Sequence, residues 1–109
     1  LPSDAEWTTL TVYLGGESVA GGKMKETGTM HWQSPNIGAT NSSGFTGLPA
    51  GSRGYTGSFS NIGGFGYWWC STEHSASSSW LRRLGYNDTD IYHYYYIKSF
   101  GFSVRCLRD

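Results

Sequence analysis

Sixteen glycines are spread along this chain, and five tryptophans and eight tyrosines stand among them. Glycine breaks regular elements and permits tight turns, so the pattern predicts a turn-rich fold pinned by large aromatic side chains rather than by helices. A hydrophobic content of 38% over 109 residues fits one compact domain, residues 1–109, with one core.

The strongest local signal is at the start. Ser3-Asp4-Ala5-Glu6 is a capping box, in which the Ser3 side chain accepts from the Glu6 backbone while the Glu6 carboxylate reaches back. Trp7, Leu10 and Leu14 then fall on one apolar stripe and Gly15-Gly16 supplies a stop, which predicts a helix over about residues 4–14. A shorter helical turn follows within 17–26, weakened by Gly21-Gly22, and residues 27–44 read as a loop carrying Trp32. Segments 55–60, 66–71, 79–84 and 101–107 read as strands between Gly, Asn and Ser breakers. The last of these, Phe102-Ser103-Val104-Arg105-Cys106-Leu107, alternates apolar with polar as a half-buried strand does. The expected fold class is therefore α+β, an antiparallel sheet with one or two flanking helices. Trp7, Trp32 and at least one of Trp68 and Trp69 are expected in the core.

Several function classes are disfavoured. Eight basic and eight acidic residues cancel, and no long basic run offers a track for phosphates, so neither nucleic acid nor an anionic membrane is an expected partner. No apolar run approaches the roughly 20 residues of a membrane helix, and Leu1-Pro2-Ser3-Asp4 is not a signal peptide, so an export signal would lie upstream. His31, His74 and His93 are scattered, with no nucleophile elbow, zinc pair or phosphate loop beside them, and no enzyme activity is expected. Asn87, Asp88 and Asp90 fall short of the six to eight oxygens calcium takes, so neither metal nor cofactor is expected. Cys70 and Cys106 permit one disulfide without requiring it, and free thiols are the favoured state.

What remains is a window from Gly85 to Phe100 holding five of the eight tyrosines. Tyrosine is large, fairly rigid and amphipathic, and a mixture of Tyr, His, Asp, Asn and Ser is the composition of recognition surfaces. Turn formers Gly85, Asn87, Asp88 and Asp90 precede a run, Tyr94-Tyr95-Tyr96-Ile97, that does not alternate, so the aromatics are expected on a displayed loop. The alternative is a set of buried sheet aromatics with satisfied hydroxyls. The window has a second property: apart from Lys98, every residue in it is reachable from an asparagine codon by changing adenines alone.

Four blocks carry a resemblance that runs from end to end. Leu1-Pro2-Ser3-Asp4-Ala5-Glu6-Trp7, Gly44-Phe45-Thr46-Gly47-Leu48-Pro49, Gly66-Tyr67-Trp68-Trp69-Cys70-Ser71-Thr72-Glu73 and the ending from Gly101 to Asp109 resemble the Fibrobacter succinogenes major paralogous domain. That family is similar in turn to the formylglycine-generating-enzyme type of C-type lectin fold. The resemblance implies a small twisted antiparallel sheet flanked by helices. It also implies a Cys-Pro-x-Gly-Trp-His segment upstream, with the usual partner of Cys106 in it, so this chain looks like the later part of a domain.

Two departures from the family pattern matter. Serine is usual where Cys70 stands, and asparagine-rich sequence is usual where Tyr92 to Ile97 stand. The variable proteins of diversity-generating retroelements use C-type lectin folds and draw their variable positions from asparagine codons, and Cys70, His74, Leu81 and Arg83 are adenine-reachable as well. The resemblance thus implies a hypervariable ligand-binding surface made of His74, Leu81, Arg83, Asp88, Asp90, Ile91, Tyr92, His93, Tyr94, Tyr95, Tyr96, Ile97 and Phe100. The tyrosine segment is expected as one exposed patch on one side of the domain. The function so read is display of this surface from a bacterial cell or a phage particle, toward a protein or glycan ligand on a host or neighbouring cell, with no direct membrane insertion. A fixed-specificity adhesin or glycan-binding module, or a structural domain of a larger surface protein, is the alternative.

Overall fold

The computed structural model of the chain describes residues 1–108. It is an α+β arrangement of two short helices, α1 (Asp4–Tyr13) and α2 (Glu17–Met24), and five strands, β1 (Ser52–Arg53), β2 (Phe59–Ser60), β3 (Phe65–Ser75), β4 (Ser78–Gly85) and β5 (Ile91–Ile97). Strands β3, β4 and β5 form an antiparallel sheet in that order, and β1 pairs with β2 in a separate two-stranded ribbon.

The capping box forms as the sequence predicts: Ser3 Oγ accepts from the Glu6 amide at 3.1 Å and Glu6 Oε1 from the Ser3 amide at 2.9 Å. With its first turn satisfied, α1 lays Trp7 and Leu14 into a core shared with Met24, Trp32, Trp68, Leu84 and Ile91. Trp68 is the buried member of the tryptophan pair, while Trp69 points to the other face of β3 and is half-buried.

Helix α2 packs backbone to backbone on the turn that leads into β5. A Cβ on Gly21 would stand 2.0 Å from the Asp90 carbonyl oxygen, and the Gly22 amide donates to the Thr89 carbonyl. The glycine pair that weakens this helix in isolation is therefore what permits its close approach. Beside it, Lys25 is fully buried, and its Nζ donates to the carbonyls of Ile37, Gly85 and Asp88 at 2.8, 2.9 and 3.0 Å. One ammonium thus satisfies three backbone acceptors, one from the loop at Ile37 and two from the turn between β4 and β5.

Three expectations need correction. Residues 92–97 are not a loop: each of Ser78 to Leu84 has a partner in β5, so the turn formers at 87–90 delimit the strand instead of continuing into it. Residues 101–107 form no strand. Gly101 bridges to Arg53 and Ser103 to Trp68, after which Arg105 swings its guanidinium over the Phe45 ring and donates to the Phe45 carbonyl. Of 55–60, only Phe59 and Ser60 pair, because Tyr55 to Gly57 are used in the turn that returns the chain to β2.

Candidate functional site

Strand β5 pairs with β4 alone and so lies at the edge of the sheet. The register sorts its side chains. Ile91, His93, Tyr95 and Ile97 share a face with Leu84, Arg82, Trp80 and Ser78, whereas Tyr92, Tyr94 and Tyr96 share the opposite face with Arg83, Leu81 and Ser79. The aromatic segment is accordingly two surfaces and not the single one-sided patch expected.

The first face begins in the core and opens toward the far end of the strand. Ile91 is buried against the helices, which removes it from any contact surface. Next to it, Arg82 is also buried and donates to Asp4 Oδ1 at 2.7 Å, to the Asp4 carbonyl at 3.1 Å and to Thr8 Oγ1 at 3.1 Å. His93 Nε2 lies 2.8 Å from the same Asp4 carboxylate. Burial alone would raise the Asp4 carboxyl, but the hydrogen bonds and charges of Arg82 and His93 reverse that and hold it below its ordinary 3.8. Further out, His74 stacks flat on Tyr95 with centroids 3.6 Å apart, and both meet Trp80 edge-on. Cys70 sits beneath Arg82, its thiol pushed up to about 11 by burial despite the nearby guanidinium, which makes it a poor nucleophile. Cys70 and Cys106 are unbonded, the first buried and the second exposed.

The second face carries no helix. Arg83 lies with its guanidinium carbon 4.2 Å from the Tyr92 ring centroid, 4.7 Å from Phe65 and 5.4 Å from Tyr94. Tyr92 and Tyr94 are parallel to one another, and the Tyr92 hydroxyl donates to Asp88, a bond that raises the Tyr92 hydroxyl above its ordinary value. Asp90 stands in the same turn, its amide bonded to Asp88 Oδ1. At the far end Tyr96 meets Phe100 edge-on at 4.4 Å, and Phe102 stacks on Tyr67 at 4.9 Å. Between these rings runs an open cleft of ≈ 410 Å³ lined by Asn61, Tyr67, Arg83, Tyr94, Tyr96 and Phe102, among others. Leu81 is buried and forms its floor, so it supports the surface without presenting itself on it.

The predicted site residues therefore divide three ways. Arg83, Tyr92, Tyr94, Tyr96 and Phe100 come together on the cleft face; His74, His93 and Tyr95 form the opposite aromatic cluster; Leu81 and Ile91 are interior. Ile97 is exposed at the end of the strand, and Asp88 and Asp90 sit in the turn before it. Tyr67, Asn61 and Phe102 were missed. The alternation of Phe65, Tyr67 and Trp69 along β3 was the available signal for the first, since it places three aromatics on one face. Among the described residues, no group of three His, Cys, Asp or Glu side chains is placed to hold a metal ion. Among the same residues, no helix is long and apolar enough to cross a membrane.

A family model described as the Fibrobacter succinogenes major domain matches residues 1–108, and the chain belongs to that family. No curated protein and no solved structure matches it.

Proposed function

We propose, taking membership of this family as the premise, that the chain is a non-enzymatic ligand-binding domain that presents its β5 edge and the adjoining cleft to a partner. The observation that carries the reading is the exposure of four consecutive residues, Tyr94, Tyr95, Tyr96 and Ile97, on an edge strand of a sheet whose other strands, β3 and β4, are tied into the core. A monomeric domain gains no stability from leaving such side chains in water, and contiguous exposed aromatic surface generally marks an interaction site. Tyrosine and arginine are also the residues that dominate binding hot spots.

The finer reading is that of a C-type-lectin-like display domain on a bacterial surface or a phage particle, with these positions diversified by a retroelement and turned toward a protein or glycan on a host or neighbouring cell. Support comes from the adenine-reachable codons and from placement: the exposed stretch from Tyr94 to Ser99 lies on one edge strand and the turn after it, outside the buried core.

Substitution separates this reading from a structural one. Tyr94→Ala should weaken a bound partner by about 2 kcal/mol or more, measured by calorimetric titration, while leaving the melting temperature nearly unchanged. An adjacent near-copy of the coding sequence carrying adenines at the altered positions, beside a reverse transcriptase gene, is the genomic counterpart; its absence would remove diversification and leave a fixed-specificity adhesin.

A further inference from the structure

The neighbours of Arg83 satisfy none of its donors among the described residues. The three rings around it lie against the guanidinium carbon, and cation–π contact with a ring uses charge but accepts no N–H. Five donors radiate in the guanidinium plane, and none finds a hydrogen-bond partner or an acidic partner among the described residues. Its Nε is shut off from solvent and unpaired. Asp88, at the far side of Tyr92, already accepts from the Tyr92 hydroxyl and the Asp90 amide. Arg83 is therefore a held, half-buried cation lining an open cleft, with its counter-charge missing.

We infer that Arg83 is the seat for a carboxylate carried by an extended acidic segment of a protein partner. Charge complementarity supplies the anion, since a planar fork matches a carboxylate with two parallel hydrogen bonds. The sheet supplies the extended chain: β5 borders the cleft and pairs on one side only, so its outer edge offers backbone donors and acceptors to an added strand, whose alternate side chains would then lie over Tyr92, Tyr94 and Tyr96. The inference rests on the binding role proposed above and adds to it the chemistry of what is bound.

The test is selection of a random linear peptide library on the intact chain, followed by affinity measurement with the wild type, Arg83→Gln, Arg83→Lys and Tyr94→Ala. Selected peptides should share an Asp or Glu, and changing that residue to its amide should cost about tenfold or more with the wild type. Arg83→Gln should bind acid and amide alike, and Arg83→Lys, which keeps the charge without the fork, should fall between; the latter carries the comparison if the glutamine variant fails to fold. Tyr94-dependent peptides that bind equally as acid and amide would overturn the inference while leaving the binding role intact. Absence of any Tyr94-dependent peptide, together with no response to glucuronic acid, would overturn both. If glucuronic acid shifts the Arg83 Nε–H resonance and no peptide does, the partner is an acidic glycan and the protein assignment is wrong.

Discussion

Arg82 and Arg83 are neighbours in sequence, and the sheet sends them to opposite fates. Arg82 turns inward, is buried, and is answered by the Asp4 carboxylate and carbonyl and the Thr8 hydroxyl. Arg83 turns outward and is answered only by aromatic rings. The first region is closed electrostatically and holds α1 to the sheet. The second is left open, with a cation and a set of hydroxyl-bearing rings ready for groups the chain itself does not provide. One residue of strand register separates scaffold from surface.

The sharpest way to break that contrast is to remove the inner counter-charge. Asp4→Asn strands a buried guanidinium and should cost roughly 3–5 kcal/mol of stability by denaturant unfolding. The same carboxylate has a pH signature. Because its folded value is depressed, the stability it contributes is fully present above 3.8 and is lost as pH falls through the lowered value, a dependence the asparagine variant should lack. Trp7→Ala, on the same buried side, should lose a comparable 3–5 kcal/mol or so as a large-to-small core change; a loss under about 1 kcal/mol would mean that α1 is not seated by this ring.

Lys25 gives an intermediate effect. Burial lowers it from 10.5 to about 8, with Asp88 opposing the shift. A depressed base binds fewer protons when folded, so the wild type should gain stability relative to Lys25→Met as pH rises from about 8 toward 10.5, by something of the order of 1–3 kcal/mol. A difference that stays flat across that interval would show the ammonium to be as well solvated by its three carbonyls as by water. Smallest of all should be the outer arginine: Arg83→Gln is expected to change folding stability by under about 1 kcal/mol, against the several lost on its inner neighbour's side. Equal losses for the two would show that the cleft face is structural.

Local chemistry made the start of the chain readable. The capping box, the Trp7 stripe and the Gly15-Gly16 stop are all signals written within a few residues, and α1 ends at Tyr13, one residue short of the expected 14. Long-range pairings left no such trace: nothing near Asp4 announces Arg82, and nothing near Lys25 announces carbonyls at Ile37, Gly85 and Asp88. The two strand errors have one cause. Alternation says which residues of a segment share a face, but only a neighbouring strand makes the segment a strand. Residues 101–107 alternate and meet β3 at a single bridge, whereas the run at 94–97 does not alternate because an edge strand with both faces partly open carries aromatics on each. The composition of the site was legible; its division between two faces required the register.

The turn before β5 is gripped mainly through its peptide groups. Lys25 holds the carbonyls of Gly85 and Asp88, α2 holds the carbonyl of Thr89, and Gly21 rides on the backbone of Asp90. An anchor of this kind is indifferent to identity: it recognises that a residue is there, not which one. The side chains from Tyr94 to Ile97 take no part in that grip, whereas His93 is tied to Asp4, so exchange at 94–97 should leave the turn seated and the strand behaves there as a cartridge in a fixed socket.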